Sequence, residues 1–300
     1  MCGIVGLHLR DPALHARLGE LLTGMLAQVC ERGPDSAGVA VYGDPRMSPP
    51  GRATVSLLGK GRSVGAVVAA VAAHLPAGAD VGVFDGGQTV VVNALSSADA
   101  LRDAVRTALP DAVVVGYGED VAVLKGVGHP RALAAEIGLV HAQGWQGVAH
   151  TRMATESAVT PEGSHPFSVG PGQCLVHNGS FANHATIRRE LRAEGVEFDS
   201  ENDSEVGARF VAYQLAQGAD LEKALRLLCE RFDGFYTLLV STRDSFAVVR
   251  DAIACKPAIV AETPQWVAMA SEYRALAHLP GVEQARIFEP EPEEVYAWQR

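Results

Sequence analysis

The sequence predicts a layered α+β fold. Strand-like and helix-like segments come in blocks, without the strict alternation that builds a doubly wound parallel sheet. Apolar residues make up 48% and charged residues 20% of the 300, which describes a chain able to bury a sizeable core. Its apolar runs are strand-length, well short of the roughly 18 residues that a membrane helix needs.

The elements follow in order. Residues 3–9 (GIVGLHL) read as a strand. Asp11-Pro12 offers an N-cap followed by a proline at the first helical position. Leu14, Leu18, Leu21, Leu22, Met25, Leu26 and Val29 then recur at helical spacing, and Gly33-Pro34 stops that helix. Ala37 to Tyr42 reads as a second strand, and residues 43–52 (GDPRMSPPGR) form a turn-rich break. From Ala53 to Gly126 the chain is rich in Val and Ala. It reads strand (53–58), helix (63–74), strands (80–84 and 88–94) joined through Gly86-Gly87, helix (97–108), and strands (112–116 and 120–125). The β-α-β-β-α-β core of that pattern is the ferredoxin-like arrangement, so residues 50–126 are expected to form an inserted α+β subdomain. Residues 129–139, 184–194, 204–217 and 219–231 read as helices, with Asp203 placed to cap the third. Strands at 234–241, 245–250, 257–261 and 266–271 complete the pattern.

Charge and cysteine usage exclude several functions. The formal net charge is −10, and no run of Lys and Arg exceeds a pair, which argues against a nucleic-acid or anionic-membrane surface. The five cysteines are scattered without CxxC pairing, as in a reducing compartment, and no signal-peptide pattern opens the chain, so a cytoplasmic location is expected. His150, His165, Cys174, His177 and His184 match none of the compact zinc spacings, and no metal is expected. Gly59-Lys60-Gly61 lacks the spacing of a phosphate-binding loop.

The candidate chemistry begins at Met1-Cys2. A small second residue favours removal of Met1. Cys2 would then carry both a thiol and an α-amine that titrates near 8, about 7.7–8.0, and so serves as a built-in general base. A thiol attacking a carbonyl needs oxyanion donors and a grip on its substrate. Arg152, flanked by Thr151 and Thr155, suits a carboxylate, although a strand-end ion pair explains it equally. Asn178-Gly179, preceded by His177, reads alone as a turn, or as a pair of oxyanion donors. Asn202-Asp203-Ser204-Glu205 reads as a helix cap, or as a grip on an ammonium. Arg32-Gly33-Pro34-Asp35-Ser36 is a helix stop, or a loop over a site.

In this order, Met1-Cys2-Gly3-Ile4-Val5-Gly6, Arg32-Gly33-Pro34-Asp35-Ser36-Ala37-Gly38, His150-Thr151-Arg152, His165-Pro166-Phe167, His177-Asn178-Gly179 and Asp203-Ser204-Glu205 resemble the motifs of class II glutamine amidotransferases. The resemblance covers about residues 2–43 and 126–280 and implies one amidotransferase domain over 2–300. It implies a four-layer α/β/β/α N-terminal-nucleophile hydrolase sandwich, carrying the ferredoxin-like insert. It also implies roles: Cys2 as nucleophile, with Asn178 and the Gly179 N–H as the oxyanion hole. Arg152 and Thr155 would hold the glutamine α-carboxylate and Asp203 its α-ammonium, with Arg32 and His177 at the substrate site. Met153 stands where many members carry an aromatic residue, and Glu156-Ser157 where some carry His-Gly, so one substrate contact is expected to differ.

The sequence ends near the end of the resemblance, so the ammonia acceptor is expected on another chain. The whole is most similar to the small amidotransferase subunit of glutamate-synthase-like complexes of the N-methylglutamate synthase type. That implies a partner carrying FMN and an iron–sulfur cluster, and a second with a glycine-repeat β-helix; no cofactor is expected in this chain. The alternatives are a subunit serving another acceptor, such as an amino sugar or a purine precursor, or a glutamine-binding regulatory subunit without turnover.

Overall fold

The computed structural model describes residues 2–59, 61, 63–153 and 159–300. In chain order its strands are β1 (Gly3–Leu9), β2 (Ser36–Tyr42), β3 (Ala53–Leu58), β4 (Val81–Gly86), β5 (Thr89–Ala94), β6 (Val114–Glu119), β7 (Val121–Val127), β8 (Gln146–Arg152), β9 (Cys174–Phe181), β10 (Gly234–Ser241), β11 (Ser245–Arg250), β12 (Ile259–Glu262), β13 (Trp266–Ala270), β14 (Arg286–Phe288) and β15 (Tyr296–Gln299). The α-helices are α1 (Leu18–Val29), α2 (Val64–Ala72), α3 (Ala98–Ala108), α4 (Pro130–Glu136), α5 (His184–Ala193), α6 (Asp203–Ala216) and α7 (Leu221–Arg231).

The strands form three antiparallel sheets. A seven-stranded sheet has the order β14-β12-β13-β1-β8-β2-β7, and a four-stranded sheet the order β15-β11-β10-β9. Side-chain packing shows how they stack. Leu18, Leu22, Met25 and Leu26 of α1 pack on Val5, Leu7, Val39 and Val41 of the large sheet. The alternate residues Ile4, Ala40 and Val148 face the second sheet and meet Val176, Leu239, Phe246 and Val248. The far face of that second sheet, with Leu175, Leu238 and Val249, is covered by Val206, Phe210, Leu225 and Leu228 of α6 and α7. Three apolar cores thus separate four layers, helix, sheet, sheet and helix. Period-2 alternation sends successive side chains of each inner strand into different cores. β1 is therefore buried at every position, which is why its sequence reads as an apolar run interrupted only by His8 rather than as an alternating one.

The third sheet has the order β4-β5-β3-β6, with α2 and α3 packed on it through Val67, Val71, Leu101 and Val105. This is the ferredoxin-like β-α-β-β-α-β connection. The strand expected over 120–125 does not belong to it. β7 pairs with β2 from Ser36–Val127 to Tyr42–Val121 and forms the edge of the seven-stranded sheet, so the small sheet's last strand ends at Glu119 and not at 126. The outer edge of β7 would leave ladder groups unpaired. Hydroxyls from the small sheet bond them: Thr54 donates to the Val121 carbonyl, Ser56 Oγ accepts from Val123 N (2.9 Å), and Thr89 Oγ1 both accepts from Lys125 N and donates to the Lys125 carbonyl (2.9 Å each). Gln88 closes the row on Val127 with two bonds of 3.0 Å. The small sheet therefore seals the edge of the large one through side chains rather than by extending its ladder.

Further departures fall where polar residues replace apolar periodicity. Residues 146–152 and 174–181 carry no strand pattern in sequence, yet both are inner strands, β8 and β9. Asn178-Gly179 lies within β9 and is not a turn: Asn178 pairs with Thr237 and Gly179 with Tyr236 across the ladder to β10. Asn202, and not Asp203, caps α6, its side chain accepting from Ser204 N at 2.9 Å.

Candidate active site

The site lies at one end of the two stacked sheets. Gly3 sits opposite Thr151 and Ile4 opposite His150, which brings Cys2, just before β1, level with Arg152 at the end of β8. Gly3 N donates to Thr151 Oγ1 (3.1 Å) and Ile4 N to Ser271 Oγ (2.9 Å). The Cys2 carbonyl accepts from Arg32 Nε (3.0 Å) and from Asn178 Nδ2 (3.2 Å). Arg32 is itself fixed by Glu272 at 2.8 Å. The main chain at Cys2 is thus held by two strands and a 3-10 turn.

Cys2 lines a cleft of about 960 Å³ together with Arg152, His177, Asn178, Gly179 and Asp203. Those six residues, separated by up to 201 positions in sequence, are brought into one cavity. Arg32 is not on its lining. It stands behind Cys2, bonded to the Cys2 carbonyl. Thr155 lies outside the described residues.

Two glycines make the close approaches possible. Gly179 has φ +145°, and a Cβ there would fall 2.0 Å from the Phe235 carbonyl, so no other residue fits β9 against β10 at this point. At Gly33 a Cβ would fall 2.5 Å from the main chain of Thr151 and Arg152, and this contact lets the 32–36 turn lie against the end of β8.

Asp203 is freed from capping by Asn202. Its Oδ2 accepts from Phe181 N (2.9 Å) and its Oδ1 from Ser204 Oγ (3.3 Å), so the carboxylate spans from α6 to β9. The loop before α6 is fixed by Glu205, which is 2% exposed and accepts from Asp199 N (2.8 Å), Ser200 N (2.7 Å) and Ser200 Oγ (2.6 Å). From α5, Arg188 holds the Asn202 carbonyl at 3.1 Å. His177 Nδ1 lies 2.7 Å from Ser204 Oγ and completes the link between β9 and α6.

Three imidazoles pack together at the cleft wall, His165 and His177 lining it and His150 behind them. The rings of His150 and His165 are 4.1 Å apart and those of His165 and His177 6.3 Å apart. Burial lowers the His150 pKa to about 3 and that of His177 to about 4, the latter against the pull of Asp203. Burial, and then the neighbouring His150, His177 and Lys125, hold His165 well below the usual range. All three are neutral at pH 7. Among the described residues no group of three or more His, Cys, Asp and Glu side chains is arranged to hold a metal ion.

The cleft also includes residues that sequence reasoning did not assign to the site. His165 carried a motif but no role. Phe235 and Lys256 come from the start of β10 and from the β11–β12 connection, with Lys256 Nζ 4.9 Å over the Phe235 ring. Neither has a local signal, because only the strand pairing brings them there. Met153, which stands where many amidotransferases carry an aromatic residue, lines the cleft as well, while Glu156-Ser157, tied to the expected change in a substrate contact, lies outside the described residues.

Four layers, a cysteine at the head of an inner strand and a polar cleft before it are the arrangement that the resemblance to class II amidotransferases implies. A family model described as the glutamine amidotransferase domain matches residues 150–278. The glutamine amidotransferase-like protein GlxB of Rhizobium meliloti is 46% identical over 299 residues, covering 99% of this chain and 98% of that protein. The glutamine–fructose-6-phosphate aminotransferase of Streptomyces coelicolor is 39% identical over 115 residues, 38% of this chain and 19% of that one. The glutamine phosphoribosylpyrophosphate amidotransferase of B. subtilis shares the fold with a TM-score of 0.60 at 17% identity, over 99% of this chain and 49% of that structure. The chain belongs to the glutamine amidotransferase-like family.

Proposed function

We propose that this chain is the glutamine-hydrolysing subunit of a larger synthase, using Cys2 as a self-activated nucleophile. The observation that carries the reading is the meeting of Cys2, Arg152, Asn178, Gly179 and Asp203 in one cleft, with the Cys2 main chain fixed by Arg32 and Asn178. An amino acid presents one carboxylate and one ammonium. Arg152 suits the first as a bidentate donor and Asp203 the second. Demanding both distinguishes glutamine from a simple amide.

The chemistry follows from that placement once Met1 is removed. The Cys2 α-amine takes the thiol proton, and Sγ attacks the glutamine side-chain carbonyl carbon. Asn178 Nδ2 and the Gly179 N–H receive the negative charge that develops on oxygen. One N–H of Asn178 already holds the Cys2 carbonyl, and the amide group has a second to give. The α-amine returns the proton to the departing nitrogen, the C–N bond breaks, and ammonia leaves. Water then adds to the thioester, the C–S bond breaks, and glutamate is released with the thiol restored. Rapid quenching during turnover should show a glutamyl mass adduct confined to Cys2; turnover with an adduct elsewhere, or with Met1 retained, contradicts this route.

The acceptor is proposed to be a glutamate-synthase-like partner of the N-methylglutamate synthase type, with FMN and an iron–sulfur cluster in one subunit and a glycine-repeat β-helix in another. The support is the resemblance of the whole chain to a stand-alone amidotransferase subunit. Reconstitution with such partners should make product amination depend on glutamine and on Cys2. Amination that proceeds only from free ammonium, or transfer to an amino-sugar or purine-precursor enzyme instead, would replace this acceptor.

A further inference from the structure

A second cavity, of about 470 Å³, opens between the small sheet and the amidotransferase layers. Its apolar walls are Val113, Val115, Tyr117, Phe167 and Val169. Two of its polar residues are buried and short of partners. Lys125 is 2% exposed; its Nζ donates to the Ser164 carbonyl (2.8 Å) and stands 4.9 Å over the Phe167 ring, and among the described residues no carboxylate pairs with it. Ser168 is 7% exposed, and its Oγ has only the weakly bonding Cys174 thiol beside it. Arg209 and Glu205 satisfy each other at 3.1 Å, with Asp199 joining Arg209. The exposed Glu197 and half-buried Glu162 lie nearer solvent. The exposed Arg106 also lies on the wall, so the cavity is about as polar as it is apolar, and Lys125 and Ser168 are its buried polar groups left short of partners. Its size is that of a small-molecule site.

We infer that this cavity is a second binding site, taking a small carboxylic acid with an apolar body, whose carboxylate bonds Lys125 Nζ and Ser168 Oγ. Glu205 and Glu162 act on Lys125 only from beyond ion-pair contact, and an anionic ligand touching the buried ammonium supplies the contact that the fold leaves out. A neutral ligand of the same shape lacks that gain. The site also touches the first cleft through a shared wall: Glu162 and Gly163, Ser200 and Glu201, and Ser204 and Glu205 face the two cavities in neighbouring pairs. Resting on the glutaminase reading, occupancy is further inferred to alter glutamine affinity, through the Lys125–Ser164 bond beside His165 and through the start of α6.

Titration calorimetry on the intact chain tests the binding without reference to catalysis. The probes are 4-methylpentanoate and L-leucine, with 4-methylpentanamide as the uncharged control. The expected result is saturable binding of at least one acid and at least tenfold weaker binding of the amide. Lys125→Met and the milder Ser168→Ala should each weaken the acid at least fivefold, with unchanged far-ultraviolet circular dichroism. Tighter binding of leucine would place its ammonium at Glu162 or Glu197. Failure of both acids to bind, equal binding of the amide, or acid binding that survives folded variants overturns the site. A saturating acid should then shift the KM for glutamine at least twofold in the wild type and not in Ser168→Ala. An unchanged KM with binding intact removes the coupling and leaves the site.

Discussion

Asn178 has two tasks that a turn residue would not have. From within β9 it bonds the Cys2 carbonyl and faces the cleft, and its neighbour Gly179 lets β10 pass close behind. Replacement by alanine removes the proposed oxyanion donor, and kcat should fall about 10²–10³-fold with a smaller change in KM. Steady-state kinetics check this, and an unchanged kcat would remove Asn178 from the chemistry. Arg152→Lys keeps the charge but loses the planar fork, so the KM for glutamine should rise about tenfold, equivalent to about 1.4 kcal/mol. If the role assigned to Arg152 is wrong, KM will stay put. Arg152 and Asp203 stood out in sequence as an arginine and an acid suited to the two charges of an amino acid, and the fold brings them into one cleft. The place of Arg32 was legible only in part. Its distance from the cleft is set by the pairing of the 32–36 turn with β8, which no local pattern encodes.

At the scale of elements, the start of α6 carries Asp203, the proposed ammonium partner. Asn202 caps the helix, Glu205 folds the preceding loop, and Arg188 clamps it from α5. Glu205→Gln retains the shape but discards the charge shared with Arg209. It should cost about 1–3 kcal/mol, because Arg209 keeps Asp199 while buried amides lose an acceptor. Urea denaturation measures the loss, and faster amide exchange over 199–203 should accompany it; wild-type stability would mean that the loop is held by other contacts. Helices with one apolar face, such as α1 and α7, were legible from their spacing. β8 and β9 were not. Their inward positions hold His150, Arg152, His177 and Asn178, so function replaces the apolar alternation by which a strand is recognised. β7 was recognised as a strand but placed in the wrong sheet, since hydroxyl-to-backbone bonds from Thr54, Ser56 and Thr89 leave no periodic trace.

For the whole molecule, the buried imidazole trio links stability to acidity. Each ring is held neutral by burial, with His150 at about 3 and His177 at about 4, while the unfolded chain protonates them near 6.5. Their folded pKa values are depressed, so the unfolded state binds more protons as the pH drops. The stability is complete above about 6.5 and is lost progressively as pH falls toward the folded values. Between pH 6.5 and 5 the unfolding free energy should fall by about 2 kcal/mol each for His150 and His177, with His165 acting in the same direction. A flat profile over that interval would show that the trio is solvated. The layered architecture itself was legible from the blocks of strands and helices. The cavity between the small sheet and the amidotransferase layers was not, since its walls come from six separate stretches of chain.

The central claim is that Cys2, with its own amine, hydrolyses glutamine. The most direct measurement is glutamate release by the purified chain and by Cys2→Ala, read beside the mass of the N-terminus. The account predicts a processed N-terminus and release that vanishes in the variant. Release that persists without the Cys2 thiol, or that proceeds with Met1 in place, would contradict it.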